Sequence, residues 1–230
     1  MKYFLLIVFA LGLWGCQQDE PGIVDVGKKP LAYFPFDSSF ADASGNGHLL
    51  QLHGNPEFVE GYTNEPSTAV LLDGNDDYFV SAIGKLDTFS ISLWLQSYRY
   101  YVGEWPQWRS TFFDYSGKQA YGSIDGISGA TQIKCGTGSE EIAATNVDNC
   151  YEWFHLYMAV KKDVKIYLNG SLQETVPLPG NLTFFGDTLY LGRSSSDDAI
   201  KLTYFYGKMD EIRIFNRILT QEEINELSFR

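Results

Sequence analysis

The chain has 230 residues, of which 44% are hydrophobic and 16% aromatic, and it carries a formal charge of −12 at pH 7. With no Lys/Arg cluster to reverse that balance locally, phosphate backbones are repelled and a nucleic-acid partner is excluded. The apolar content is ample for a packed core, and roughly 200 residues lies within the range of one all-β domain, so one domain is expected.

Met1-Lys2 places one positive charge before an unbroken apolar run from Tyr3 to Trp14, the layout of a signal peptide. The run is shorter than the ~20 residues of a spanning helix and gives way at once to Gly15-Cys16 and the polar Gln17-Gln18-Asp19-Glu20. Leu13-Trp14-Gly15-Cys16 resembles the lipobox of bacterial lipoproteins, although Trp14 departs from the small residue usual there. The resemblance implies cleavage after Gly15, lipid on Cys16, and attachment to a membrane through that anchor alone. Gln17 to Glu20 resembles the short acidic signal that carries lipoproteins to the outer cell surface in one large Gram-negative group, so an outer-membrane, surface-exposed location is expected; the same tetrapeptide also reads as solvated linker. Pro21-Gly22 and Lys28-Lys29-Pro30 make the stretch an extended tether. The chain thus divides into a signal peptide (1–15), a lipidated cysteine with tether (16–30) and a folded domain (31–230). Removing residues 1–15 takes away Lys2 and no acid, so −12 becomes −13.

From Leu31 onward, short apolar or alternating runs are separated by Gly, Asn, Asp and Pro, the pattern of an antiparallel sandwich or barrel. Strands are predicted at Leu31 to Phe36, His48 to Leu52, Ala69 to Leu72, Tyr78 to Val80, Phe89 to Gln96, Ser110 to Tyr115, Tyr121 to Ile124, Thr131 to Cys135, Trp153 to Val160, Val164 to Leu168, Leu189 to Leu191 and Lys208 to Phe215. In Phe89 to Leu95 the odd positions are apolar and alternate with Ser, which makes one face core; Trp94 breaks the alternation and points to the other surface of its sheet. Asn169-Gly170 after Val164 to Leu168 predicts a tight hairpin, because both residues accept positive φ. Thr220 to Glu223 fits a capping box, and Ile224 with Leu227 supplies the apolar stripe of one short helix.

Five landmarks in order carry a family resemblance across almost all of this domain. They are Leu31 to Asp37 with Asp42-Ala43-Ser44-Gly45-Asn46-Gly47; Val70 to Gly74; Phe89 to Leu95; Trp153-Phe154-His155 with Val164 to Gly170; and Leu189 to Arg193 with Gly207 to Arg217. The chain resembles the laminin-G-like, concanavalin A-like lectin/glucanase jelly-roll domains. The resemblance implies an all-β fold of two antiparallel sheets packed face to face, a jelly-roll sandwich with one concave surface and loops along its rim, to which the capping-box pattern adds one short C-terminal helix. It does not fix a ligand, since the fold serves lectins, adhesion modules and glycan hydrolases. It also implies a structural Ca²⁺ held by Asp42, Asn46 and Asp210, which would draw on carboxylates and on carbonyls turned inward by a Gly-rich loop. The same residues read alternatively as an Asx turn and a strand end. Asp73-Gly74-Asn75-Asp76-Asp77 reads as a solvated hairpin connection.

No catalytic residue is assigned. Retaining glycan hydrolases need two carboxyl groups about 5 Å apart, and the glucanases of this fold set theirs at alternate positions of one strand as Glu-x-Asp-x-x-Glu, a run missing from this sequence. Asp210 and Glu211 are adjacent and should face opposite ways, Asp114 and Asp125 stand alone in their strands, and His48, His53 and His155 are scattered. The most unusual segment is Ser97 to Ser110, which crowds Tyr98, Arg99, Tyr100, Tyr101, Trp105 and Trp108 between two strands. Aromatic faces stack on sugar rings while Arg and Glu bond hydroxyls, so these six residues are the candidate ligand site. The alternatives are a hairpin at Val102-Gly103-Glu104 with its aromatics packed on the domain, or a protein-binding hot spot. Ser194 to Asp198, with Lys201 to Tyr206, is a second rim candidate.

Cys135 and Cys150 are left once Cys16 is lipidated, and in an oxidising compartment such a pair is expected to bond, closing a short loop worth about 3 kcal/mol; two separate thiols are the alternative. The function expected is a surface-tethered, non-catalytic module that binds carbohydrate. An adhesion or assembly protein holding a protein partner is the rival, and a glycoside hydrolase the third reading.

Overall fold

The computed structural model describes residues 29–98, 108–117, 119–127, 130–137, 140–178, 184, 186–196 and 204–229. In chain order the strands are β1 (Ala32–Phe34), β2 (Gln51–His53), β3 (Glu57–Val59), β4 (Ala69–Asp73), β5 (Tyr78–Ala82), β6 (Phe89–Ser97), β7 (Trp108–Tyr115) and β8 (Ala120–Ile127). There follow β9 (Ala130–Thr137), β10 (Glu140–Asn146), β11 (Phe154–Val160), β12 (Asp163–Leu168), β13 (Ser171–Pro177), β14 (Thr188–Leu191), β15 (Tyr206–Phe215) and the helix α1 (Gln221–Ser228).

Two antiparallel sheets result. An eight-stranded sheet runs β13-β12-β11-β6-β15-β4-β3, with β1 also paired to β15, and a seven-stranded sheet runs β10-β9-β8-β7-β14-β5-β2. The expected two-sheet jelly-roll sandwich is the observed fold. Its core lies between the sheets: Phe89, Ile91, Leu93 and Leu95 of β6 face Phe113, Ile124, Ile133 and Leu191 from the other layer. Burying a Leu, Ile or Phe side chain is worth about 1.5–3 kcal/mol, which is why strict alternation on β6 fixes both its register and its face. Trp94, as expected, leaves that core and stacks on Tyr62 with ring centroids 4.2 Å apart.

Local signals also hold. Asn169 and Gly170 both take positive φ, 46° and 77°, between β12 and β13. Thr220 caps α1, its hydroxyl accepting from Glu223 N while the Glu223 carboxylate accepts from Thr220 N. The helix lays Ile224 and Leu227 on Tyr157, Ala159 and Phe215, on the outer face of the eight-stranded sheet.

One connection differs from expectation. Asp73 to Asp77 joins β4 in one sheet to β5 in the other, so it is a crossing between layers and not a hairpin. Nor is it fully solvated: Asp77 is buried, and its carboxylate accepts from Asn55 N at 2.6 Å and from Asp73 N at 3.0 Å. Likewise β6 and β7 lie in different sheets, while the Val102-Gly103-Glu104 turn read between them lies outside the described residues.

Candidate functional site on the seven-stranded sheet

Side chains alternate across a strand, so β8 gives Ile124 to the core and Tyr121, Ser123 and Asp125 to the outer face. Register sets Arg109 of β7 opposite Asp125, Ser123 opposite Lys134 of β9, and Gly136 between Tyr121 and Glu141 of β10. Arg109 grips Asp125 with Nε and Nη2, at 3.1 and 3.0 Å from Oδ2, and its Nη2 lies 3.7 Å from Glu141. Lys134 Nζ lies 2.8 Å from Glu141 and 3.7 Å from Asp125.

Four neighbouring strands thus contribute a closed square of alternating charge. Its two inner side chains, Lys134 and Asp125, are 8% and 7% exposed, whereas Arg109 and Glu141 on the open side are 41% and 36% exposed. Burial works against the guanidinium, but the hydrogen bonds and charge of Asp125 outweigh it and hold the pKa of Arg109 above its ordinary value. Beside the square, the Tyr121 ring lies on Gly136, where a Cβ would collide with it. Burial pushes the Tyr121 phenol up, and no hydrogen bond reaches its hydroxyl among the described residues. Ser123 Oγ is buried and, among the described residues, has no partner.

Across the same face, Tyr190 of β14 pairs with Asp114 of β7 and Val80 of β5, and the alternation carries on to Tyr78. Tyr78 stacks on His53 at 4.1 Å with rings nearly parallel, while the Arg193 guanidinium stands 4.8 Å from the Tyr78 ring and 5.3 Å from the Tyr204 ring. Asp114 is fully buried, and its Oδ2 accepts from Ser195 N and Ser195 Oγ, both at 2.8 Å, and from Ser194 Oγ at 3.1 Å. That carboxylate pins the loop after β14, part of the second rim candidate, so that Arg193 meets the aromatic pair. Asp197, Asp198 and Lys201 lie outside the described residues.

Of the aromatic segment only its two ends, Tyr98 after β6 and the Trp108 backbone at the start of β7, lie among the described residues. Tyr98 donates its N–H to Tyr206 O at 3.0 Å and meets the Tyr206 ring edge-on at 5.5 Å. Trp108 enters β7 opposite Gly126, next to Arg109, although its side chain, together with Arg99, Tyr100, Tyr101 and Trp105, lies outside the described residues. Cys16 lies outside them too.

The three residues expected to hold calcium each make other contacts. Asp42 accepts from Tyr33 N, Ser44 N, Ser44 Oγ and His48 N at 2.8–3.0 Å, so four donors occupy the oxygens an ion would use. Asn46 Nδ2 donates to Leu31 O at 2.8 Å, and Leu31 N bonds Ile214 O. Asp210 sits four residues before Ile214 on β15. It lines a different cleft of about 360 Å³ with Tyr33, Asp37, Tyr62, Glu65 and Glu211. A bulge between Asp210 and Arg213, with Glu211 at φ 54°, brings both acids to this cleft where simple alternation would have parted them. Burial, then the charges of Glu211 and Asp37, push Asp210 up to about 8.

Cys135 and Cys150 are not joined; both are buried thiols. Cys150 forms a side-chain hydrogen bond with Thr131, four residues along β9 from Cys135, or about 13 Å. Disulfide geometry needs Cα atoms within about 7 Å, which this placement does not offer.

Sequence reasoning missed the charge square. The alternation in Tyr121-x-Ser123-x-Asp125 and Gln132-x-Lys134 marked a polar face, but pairing across strands decides which acid meets which base.

No curated protein sequence matches the chain. Among solved structures, domain 4 of AbnA, a GH43 extracellular arabinanase from Geobacillus stearothermophilus determined in complex with arabinotriose, superposes with a TM-score of 0.63 at 20% identity, covering 87% of this chain and 98% of that one. A botulinum neurotoxin type C structure, whose cell entry depends on two ganglioside molecules, gives 0.63 at 18% identity over 88% of this chain and 51% of that one. The binding domain of botulinum neurotoxin DC, in complex with rat synaptotagmin II, gives 0.62 at 17% identity with coverages of 88% and 51%. The chain spans about half the length of those neurotoxin chains, and at these identities the likeness is one of fold. A family model, Laminin_G_3, covers residues 73–225, and the chain belongs to the concanavalin A-like lectin/glucanases superfamily.

Proposed function

We propose that this protein is a non-catalytic carbohydrate-binding module, held by lipid on Cys16 at the cell-surface side of the outer membrane, which captures glycan for an uptake or degradation system. The observation that carries the reading is the outer face of the seven-stranded sheet, where the square of Arg109, Asp125, Lys134 and Glu141 shares one surface with the stacked His53 and Tyr78 and with Tyr204 set edge-on to Tyr78. Rings of this kind cover the apolar faces of sugars, and paired acids and bases bond their hydroxyls. Trp108 enters β7 beside Arg109, which favours counting the aromatics of the Tyr98 to Trp108 segment in the same platform. Arabinotriose bound to the arabinanase domain of like fold is further support.

A catalytic role fits less well, because Asp125 and Glu141 are both taken up by Arg109 and Lys134. A retaining pair would instead flank open space for the glycosidic bond. The rival reading, a protein partner, is favoured by one feature: Phe229, 73% exposed, lies by the Asn169-Gly170 turn, with Leu172, 52% exposed, two residues on.

A glycan array probed with the mature protein, with and without chelator, tests the proposal. Binding to defined polysaccharides is expected, lost in Trp105→Ala, Trp108→Ala and Arg109→Ala. An empty array together with a co-purified protein that Phe229→Ala releases would replace this reading with the rival one.

A further inference from the structure

We propose that the charge square selects neutral, hydroxyl-rich sugars and turns away acidic ones. The assignment rests on the carbohydrate reading above and narrows it to a ligand class.

An arginine and a lysine side by side on a sheet would, alone, invite a uronate or a sulfate. Here each cation is already answered: Arg109 binds Asp125 through two nitrogens, and Lys134 lies between Glu141 at 2.8 Å and Asp125 at 3.7 Å. The four formal charges cancel. To take an anion the site would have to surrender one of these pairs, and the Asp125–Lys134 side is almost wholly buried, where stranding a charge is costly. The acidic chain adds a repulsive background for any polyanion.

What the square leaves for a ligand is mixed. Arg109 offers N–H donors on its exposed side, Glu141 offers acceptor capacity, and the Tyr121 hydroxyl is engaged by no neighbour among the described residues. Ser123 adds an independent sign, a buried hydroxyl on the same face with no partner among the described residues. Such a group is costly to leave unmet. A sugar diol both donates and accepts and so matches this set, whereas a carboxylate only accepts.

The test measures binding of the mature protein to arabino-, xylo-, gluco- and galacto-oligosaccharides, against oligogalacturonate and oligoalginate, at low and high salt. A neutral oligosaccharide is expected to bind at least about tenfold more tightly than either uronide, and without salt dependence, because no net charge is exchanged. Glu141→Gln is exposed enough to keep the fold, which a melting curve checks, and it removes the near partner of Lys134. This variant should lose about threefold to tenfold in neutral-sugar affinity and gain uronide binding that weakens with salt. Tyr121→Phe should lose about threefold for the neutral sugar and gain nothing for the uronide. A wild-type preference for uronides, or Glu141→Gln leaving both affinities unchanged, overturns the assignment. If neither class binds at all, the carbohydrate reading itself falls and takes this one with it.

Discussion

Nδ1 of His155 lies 2.8 Å from the hydroxyl of Ser228, the last residue of α1. Ser92 Oγ meets the other ring nitrogen at 2.8 Å, so the imidazole ties the helix end to the centre of the eight-stranded sheet. Burial, and then the charge of Arg213, push His155 down to about 3. An unfolded histidine titrates near 6.5, so between about pH 6.5 and 3 the unfolded chain takes up a proton that the fold refuses. Stability is therefore lost as pH falls through that window, by about 1.4 kcal/mol per pH unit from this group. Urea unfolding at several pH values should show a flatter acid limb in His155→Gln than in the wild type. Parallel limbs would sink the assignment. Ser228→Ala should cost about 1–3 kcal/mol at neutral pH, because it removes the bonds to His155 Nδ1 and Ile224 O and leaves the buried ring nitrogen unmet.

Asp210 has the opposite sign. Its folded pKa of about 8 lies far above that of an unfolded aspartate, so the fold holds a proton that the unfolded chain has released. This group's contribution is neutral below about pH 4, and it costs stability as pH rises towards 8. Asp210→Asn keeps an acceptor for Tyr62 N, which bonds Oδ2 at 3.3 Å in the wild type. The variant should be more stable than wild type at pH 8, and the two should converge near pH 4. A variant less stable at both would mean that the ionised carboxylate is what the cleft holds.

The contrast between these groups shows what could be read from the chain alone. Strictly alternating β6, the Asn169-Gly170 turn and the Thr220–Glu223 capping box were legible because each obeys a local rule. The strands that escaped, β3, β10 and β13, all lie at sheet edges. An edge strand faces water on one side and need not alternate; β13 is almost wholly exposed or half-buried, with no apolar stripe to mark it. Asp210 and Glu211 were separated by an alternation that a bulge cancels. The charge square was invisible for another reason, since its members come from β7, β8, β9 and β10, and register between strands is set by core packing and not by neighbours in sequence.

The two cysteines of the folded domain should behave as thiols. Burial pushes both up, Cys135 the more strongly, so neither should react with iodoacetamide in the native protein near neutral pH. Denaturation without reductant should expose two alkylatable groups. Mass spectrometry of non-reduced peptides that found Cys135 linked to Cys150 would require β9 and the chain before β11 to lie closer than they do.

The anchor is tested apart from the fold. The twelve apolar residues from Tyr3 to Trp14 are too few to span a bilayer, so on the proposed reading membrane retention after cleavage would come from lipid on Cys16. A single acyl chain gives only marginal, reversible binding, whereas the multiple chains of a processed lipoprotein hold firmly. Cys16→Ala should therefore abolish palmitate labelling and move the protein to the soluble fraction, or leave it as an uncleaved precursor. The melting temperature of the folded domain should not move, because the tether up to Pro30 lies ahead of β1. Protease added to intact cells should digest the wild-type domain if it faces outward. Labelled, membrane-bound Cys16→Ala protein would defeat the lipoprotein assignment, while protection of the wild type from external protease would keep the anchor and reverse only the side of the membrane on which the proposed binding face is displayed.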